Sequence, residues 1–202
     1  MFTPLPRAFY EPSAKVVAPK LLGHWLIRQT PDGPCGGLIV ETEAYLRDDP
    51  ACHGYGGPTG RNRAMFGDPG LAYVYRIYGF YDCFNAVCQP RGCAEAVLIR
   101  AIQPEFGLDW MQKNRPVDRA ANLTSGPGKL CRALQIDRAL DRANLCSAES
   151  PVFIAENPAI RACRRRLGPR IITARIGLTQ AADWPLRFCL ANSPFLSRKP
   201  PR

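Results

Sequence analysis

The sequence has few of the residues from which metal and redox sites are built. It contains two histidines, His24 and His53, and its nine cysteines form no CxxC pair. These counts argue against a zinc site made of cysteine and histidine, and the odd number of cysteines argues against a full disulfide framework. We expect no metal site, and we interpret the cysteines mainly as small buried apolar residues in a reducing compartment.

Long apolar runs are also missing. The N-terminal stretch has no basic segment followed by an apolar one, and Pro19 and Lys20 interrupt the only candidate. Neither a signal peptide nor a transmembrane helix is therefore predicted. We expect no membrane contact and a cytoplasmic, nucleoid-associated location.

Lysine is scarce, but arginine is not. The chain has 27 Lys+Arg against 17 Asp+Glu, a formal net charge of +10, and arginine supplies most of that excess. A basic surface favours a polyanionic partner such as nucleic acid, and arginine suits bidentate contacts with phosphate. The alternative is a genome rich in G and C that uses arginine in place of lysine throughout.

The order of apolar segments predicts an α+β fold in one domain over 1–202, with loose tails at 1–8 and 198–202. A helix is expected from Pro12 and Ser13, with Val16, Val17, Leu21 and Leu22 as its apolar positions and a kink or break at Pro19. Further helices are expected over 104–113 and 127–135. Strands that form antiparallel hairpins are expected over 25–28, 38–45, 71–77, 83–88, 95–101, 152–155, 171–176 and 186–190.

The strand over 38–45 carries the first candidate site. Successive side chains of a strand point to opposite faces, so Glu41, Glu43 and Tyr45 lie together on one face. A carboxylate at the end of an apolar strand can act as a general base, or it can form an ion pair with an arginine such as Arg100. Spacing alone does not choose between the two glutamates. A glycosidase pair fits poorly, because neighbours on one strand face are only ~7 Å apart and point the same way.

Aromatic residues follow in the next hairpin, where Tyr78 stands at a turn directly before Gly79. A side chain that protrudes there could fill the gap left by a nucleotide extruded from a duplex. Tyr81 is instead expected to pack in the core. The phosphate contacts predicted are Arg61, Asn62 and Arg63, together with Lys129 at a glycine turn that opens a helix. The cluster Arg161–Arg166 is interpreted as a solvated face.

Several motifs occur in the order found in one known family. They are VETEAY at 40–45, RNRAMF at 61–66, LAYVYRIYGFYDCFN at 71–85, AVLIRA at 96–101, NLTSGPGKLC at 122–131 and PLRFCLANSPFLS at 185–197. In combination they resemble the alkyladenine (3-methyladenine) DNA glycosylase family, of the methylpurine type. The resemblance runs from about residue 9 to residue 197. It implies a curved, barrel-like antiparallel core with helices packed around it.

The resemblance also implies roles for individual residues. Glu43 would be the general base, and Arg100 would lie beside the attacking water and the base. The pocket for the flipped base would be formed by Tyr45, His53, Tyr73, Tyr75, Asn85 and Leu98, and Tyr78 would be the wedge. The loop between Glu43 and His53 is slightly shorter than in vertebrate members, which makes the position of His53 less certain.

The resemblance further implies base excision repair by a monofunctional, monomeric enzyme acting on double-stranded DNA with damaged purines. It implies that this enzyme needs no metal and no organic cofactor. Because no lysine lies in or beside the pocket segments, a Schiff-base step is not expected. A non-catalytic nucleic-acid-binding module with the same basic surface is the alternative. The lesion range, from 3-methyladenine to hypoxanthine and ethenoadenine, stays open.

Overall fold

The computed structural model describes residues 2–200; Met1, Pro201 and Arg202 lie outside the described residues. The helices are α1 (Ala14–Leu21), α2 (Leu108–Asn114), α3 (Pro127–Leu134) and α4 (Ile160–Arg166). The strands are β1 (Trp25–Thr30), β2 (Gly33–Tyr45), β3 (Ala72–Ile77), β4 (Tyr81–Cys88), β5 (Glu95–Phe106), β6 (Val152–Ala155), β7 (Arg170–Thr173) and β8 (Arg187–Leu190). The predicted α+β class is confirmed.

The strands form one eight-stranded antiparallel sheet that curls into a half-barrel, as the resemblance implied. The main path runs β3-β4-β5-β2-β1-β6. Strand β2 pairs with β5 along one edge, and on the other edge it pairs first with β1 and then with β8, which in turn pairs with β7. Irregular register between β2 and β5, at Ile39/Glu41 and Glu41/Thr42, marks the part of β2 that carries the carboxylates.

Strand β2 begins earlier than its glycines and proline suggested. Glycine and proline over 33–37 are typical of a turn, but this segment is strand from Gly33 onward. A Cβ atom on Gly36 would lie 1.9 Å from the carbonyl oxygen of Leu26, and one on Gly37 would lie 2.0 Å from that of Gln103. These two glycines therefore allow neighbouring strands to approach β2 closely.

The helices agree with the sequence in part. Ser13 caps α1, which continues through Pro19 without ending there. Val16, expected to be buried, is 44% exposed. The helix expected from residue 104 begins only at Leu108, because β5 continues to Phe106, and α4 was not predicted at all. The helix expected over 127–135 is present as α3, with Leu130, Cys131 and Leu134 buried on one stripe.

Some described residues of the two predicted tails contact the rest of the fold. Near the start, Leu5 is buried and donates its N–H to the carbonyl of Ile154 across 2.8 Å. The ring of Phe2 packs edge-on against Trp25 and Phe106. Near the end, the carbonyl of Arg198 accepts a hydrogen bond from the buried side chain of Arg187.

Two composition-based predictions can be compared with the fold. All nine cysteines lie within the described residues; they are free thiols, and seven are buried. Their interpretation as small apolar residues is confirmed for those seven. Among residues 2–200, every helix is too short or too polar to pass through a bilayer.

Candidate active site

Glu43 lies at the centre of a hydrogen-bonded group of side chains at the end of β2. Its side chain is fully buried. The Oε2 atom accepts hydrogen bonds from the Tyr45 hydroxyl at 2.9 Å and from Nη1 of Arg100 at 3.1 Å. The Oε1 atom accepts one from the backbone N–H of Ile176 at 2.8 Å. Three separate segments of the chain therefore fix the orientation of this carboxylate.

Arg100 links the two carboxylates of the strand. Its Nε lies 3.1 Å from Oε1 of Glu41, and its Nη1 lies 3.1 Å from Oε2 of Glu43. Burial lowers the pKa of Arg100, but the charges of Glu43 and Glu41 raise it by more, so that the net shift is upward. The expected pairing of Arg100 with a carboxylate is confirmed.

Glu41 accepts four hydrogen bonds, one more than Glu43. Oε1 accepts hydrogen bonds from Nε of Arg187 at 2.8 Å and from Oγ of Ser197 at 2.6 Å, as well as from Arg100. Oε2 accepts one from the backbone N–H of Ser197 at 2.6 Å. With two guanidinium partners and no exposed surface, Glu41 fits the ion-pair interpretation, which leaves Glu43 as the candidate base.

A narrow aromatic cavity of about 110 Å³ lies beside the group. Five of the six predicted pocket residues line it: Tyr45, His53, Tyr73, Tyr75 and Asn85. The other lining residues are Ala51, Met65, Ile77, Ala96 and Leu178. Tyr45 belongs both to the cavity wall and to the hydrogen bonds of Glu43, so the cavity and the carboxylate adjoin.

The rings of the cavity are packed against one another. The His53 ring lies edge-on to Tyr75, with centroids 4.4 Å apart, and its Nδ1 is 2.9 Å from the Tyr73 hydroxyl. Burial, and then the charge of Arg61, lower the pKa of His53, which favours a neutral imidazole. Burial raises the pKa of Tyr45 and of Tyr75, so both hydroxyls stay protonated.

Asn85 and Leu98 take different positions. Asn85 is buried at the cavity wall, and its Nδ2 donates to the carbonyl of Tyr73 at 2.9 Å. Leu98 lies outside the set that lines the cavity. It pairs in register with Glu43 on β2 and with Asn85 on β4, so it packs between the carboxylate strand and that wall.

The turn between β3 and β4 exposes its aromatic residues. Tyr78 is 75% exposed and has φ 53°, a left-handed conformation unusual for a bulky residue. Phe80 is also exposed. Tyr81 was predicted to be in the core, but it is 47% exposed. It lies on the outer side of β4 against Gly128 of α3, where a Cβ atom would come within 2.9 Å of its ring.

The predicted phosphate contacts separate into two kinds. Arg61, Arg63 and Lys129 have accessible side chains; Arg61 lies 5.8 Å from the Tyr75 ring centroid. Asn62 is buried instead. Its amide donates to the carbonyls of His53 at 2.6 Å and Gly57 at 3.0 Å, and its oxygen accepts from the N–H of Thr59. The geometry therefore contradicts a direct phosphate contact by Asn62.

The cluster over 161–166 agrees with its interpretation except at one position. Arg161, Arg165 and Arg166 are exposed. Arg164 is partly buried and donates to the carbonyl of Leu22 at 2.9 Å and to that of Lys20 at 2.8 Å. It thereby satisfies carbonyl groups at the C-terminal end of α1, a role that charge patterning alone does not reveal.

The loop that follows β7 contributes residues that sequence reasoning missed. Ile176 donates its backbone N–H to Glu43, and Leu178 lines the cavity. Just before them, Arg175 is buried in an ion pair with Asp49 and stacks on the Tyr45 ring at 4.7 Å. A backbone contact leaves no sequence signal, but a lone arginine in an apolar segment can indicate a buried partner.

A buried carboxylate can serve as a general base, and an aromatic cavity can hold a planar ring. Comparison with known proteins agrees with this interpretation. A sequence model of the methylpurine-DNA glycosylase family matches residues 8–194. The chain belongs to that family of DNA-repair enzymes, and the predictions of family and of enzyme class are confirmed.

Several relatives are similar over nearly their whole length, and each is named "Putative 3-methyladenine DNA glycosylase". The protein of Rhodopseudomonas palustris (strain ATCC BAA-98 / CGA009) is 48% identical over 98% of this chain and 90% of its own. That of Methanoculleus marisnigri is 48% identical over 96% of this chain and 99% of its own. That of Agrobacterium fabrum is 44% identical over 98% of this chain and 95% of its own.

Proposed function

We propose that the protein is a monofunctional DNA glycosylase that flips alkylated or deaminated purines out of duplex DNA and hydrolyses their N-glycosidic bond. The observation that carries this proposal is the 2.9 Å hydrogen bond from Tyr45, in the cavity wall, to Glu43. A base held in the cavity would therefore present its sugar close to the carboxylate. The family and the names of its members support the same activity.

The base must leave the stack before any group can reach its glycosidic bond, at a cost of a few kcal/mol that is smaller for damaged or mispaired bases. Once flipped, it stacks against the aromatic residues that line the cavity, among them Tyr45, His53 and Tyr75. A positively charged alkylated purine gains about 0.5–2 kcal/mol from each such face by cation–π attraction.

Glu43 then acts as the general base. It removes a proton from a water molecule whose oxygen forms a bond to C1′, while the C1′–N bond breaks and its electron pair stays with the departing purine. The carboxylate also stabilises the positive charge that develops on the sugar. Arg100, hydrogen-bonded to Glu43, positions the carboxylate beside the water.

Residues outside the cavity hold the DNA. The exposed Tyr78 at the turn fills the space that the flipped nucleotide leaves. Arg61, Arg63 and Lys129 contact phosphates, while Asn62 holds the loop in place behind them. Asn85 and, behind the wall, Leu98 limit which purines fit.

The product is an abasic site with an intact backbone. Schiff-base chemistry needs an amine next to C1′, and the described residues that line the cavity include no lysine. The enzyme acts as a monomer and needs no cofactor for this hydrolysis.

One experiment tests the proposal directly. The protein is incubated with methylated duplex DNA, the DNA is treated with hot alkali, and strand breaks at abasic sites are counted. Breaks are expected with the wild-type protein and not with Glu43→Gln purified in the same way. A wild-type protein that binds the DNA but leaves no alkali-labile sites would support the non-catalytic alternative instead. Oligonucleotides with 3-methyladenine, hypoxanthine or ethenoadenine then define the lesion range.

A further inference from the structure

A buried ion pair lies directly behind the cavity wall. Nη2 of Arg175 donates to Oδ1 of Asp49 at 3.0 Å, and Nη1 donates to Oδ2, so the contact is bidentate. Neither side chain has exposed surface. Arg175 follows β7 and Asp49 lies in the loop after β2, so the pair also joins two segments that border the cavity. Nothing in the hydrolysis described above uses these two charges.

The pair occupies one face of Tyr45. The central carbon of the guanidinium lies 4.7 Å from the Tyr45 ring centroid, which is too close for a base to enter between them. Arg175 also donates to the carbonyl of Ala44 at 3.1 Å, which holds it in that position. Tyr45 lines the cavity and Arg175 does not, so a base can use only the free face or the edge of this ring.

The charge on Arg175 therefore acts on the base through the ring. A guanidinium on one face of an aromatic ring weakens the binding of a second cation to the other face, because the two cations compete for the same π electrons. Without a counter-charge, Arg175 would disfavour a cationic purine and would affect a neutral one much less. Asp49 supplies that counter-charge, with both of its carboxylate oxygens turned to the guanidinium.

We propose that Asp49 is a specificity-determining residue, which neutralises Arg175 behind Tyr45 and so permits cationic as well as neutral damaged purines to bind. The inference rests on the proposed glycosylase function. Asp49 and Arg175 touch neither the water nor the sugar in this scheme and act through Tyr45.

The test compares one cationic and one neutral lesion in matched duplexes. Single-turnover rates and binding constants for 7-methylguanine and for hypoxanthine are measured with wild type, Asp49→Asn, Arg175→Gln and the double variant. Asp49→Asn keeps the shape but leaves Arg175 unbalanced. At roughly 8 Å and an effective dielectric near 20, the ratio of cationic to neutral excision should fall about 30-fold. Arg175→Gln should raise that ratio, and the double variant should restore it towards the wild-type value.

The opposite shifts of the two single variants separate this role from a structural one. Loss of packing would lower both rates by the same factor in both variants, and that outcome would overturn the proposal. If Asp49→Asn fails to fold, Arg175→Gln and the double variant still carry the comparison, and an unchanged ratio in Arg175→Gln overturns it. If the wild type releases neither base, the proposed function fails instead, so the two failures are distinguishable.

Discussion

Tyr45 donates its hydroxyl hydrogen to Oε2 of Glu43 across 2.9 Å, while the ring of the same tyrosine lines the aromatic cavity. One side chain thus touches both the carboxylate and the space beside it. A change at the hydroxyl should affect the carboxylate without altering the stacking surface.

The first prediction concerns this hydroxyl. Tyr45→Phe keeps the ring but removes one hydrogen bond to a charged acceptor, a contact worth about 1.5–3 kcal/mol. Excision in a single-turnover assay should fall about 10- to 100-fold while the affinity for lesion DNA changes little. Tyr10→Phe is a matched control, because the buried Tyr10 hydroxyl has no hydrogen-bond partner among residues 2–200. An unchanged excision rate in Tyr45→Phe would show that this hydrogen bond does not orient the Glu43 carboxylate.

The second prediction concerns Glu43 itself. Glu43→Gln keeps the size of the side chain but removes its basicity, so base release should fall by about 10²–10⁴-fold or more. Binding to lesion DNA, measured by a gel-shift titration, should stay close to wild type. Glu105→Gln, a carboxylate on the far part of β5 that contacts Trp25, serves as the control. Retained turnover in Glu43→Gln would remove the general-base assignment.

The third prediction uses the unusual backbone of Tyr78. Because the φ of Tyr78 is 53°, a conformation that glycine adopts readily, Tyr78→Gly should leave the free energy of unfolding unchanged or slightly increase it. Without the ring, excision of a lesion in a stable base pair should drop more than excision of the same lesion in a mismatch. Leu108 is another exposed apolar residue, and Leu108→Ala should change neither the free energy of unfolding nor the excision rates. Equal losses on paired and mismatched lesions would argue against the wedge.

The fourth prediction tests the loop that carries His53. A Cβ atom on Gly54 would lie 2.3 Å from the Cβ of Ala94, so Gly54→Ala must displace the loop. We expect a loss of about 1–3 kcal/mol in the free energy of unfolding, from urea titrations, and slower excision of every lesion. Gly56→Ala is the matched control, since no described atom lies within 4 Å of its added Cβ. A stable, fully active Gly54→Ala variant would mean that the loop does not form the cavity wall.

The fifth prediction is a pH dependence of stability through His24. Burial, and then the charge of Arg164, lower the pKa of His24 to about 4, and its Nδ1 accepts a hydrogen bond from the N–H of Asn157 at 3.3 Å. In the unfolded chain the pKa of His24 is about 6.5. At pH values between the folded and the unfolded pKa, the unfolded chain therefore binds a proton at His24 that the folded chain does not.

The stabilisation from neutral His24 is therefore complete above pH ~6.5 and is lost as the pH falls towards 4, by about 3 kcal/mol in total. Urea unfolding at several pH values between 7 and 4 measures this loss. His24→Gln should be less stable at pH 7 but should show a smaller decline. Parallel curves for the two proteins would contradict the role of His24.

The sequence predicted the strands and the face that Glu41, Glu43 and Tyr45 share, because alternation fixes which side chains lie together on one strand. Apart from Arg100, it did not predict the partners of the two glutamates. Arg187, Ser197 and Ile176 are more than 130 positions away from the glutamates they contact, and no local pattern connects them. The choice between the two carboxylates therefore needed the family resemblance or the structure.

The predictions for Asn62 and Tyr81 were wrong because the sequence does not show how far each side chain is buried. Asn62 stands between two exposed arginines and resembles them in sequence context, yet its amide is turned inward to three backbone groups. Tyr81 alternates like a core residue, but the outer side of β4 is only partly covered by α3. Neither outcome follows from residue type, because both depend on what the next segment of chain covers.

The hydrogen bonds from Ser197 to Glu41 have a consequence for the order in which the protein is made. Glu41 is synthesised 146 residues before Arg187 and 156 residues before Ser197, so these two partners join it only after most of the chain has been made. Arg100, which pairs with both Glu41 and Glu43, follows them by fewer than 60 residues. The full set of hydrogen bonds around Glu41 can therefore form only after Ser197 has been synthesised.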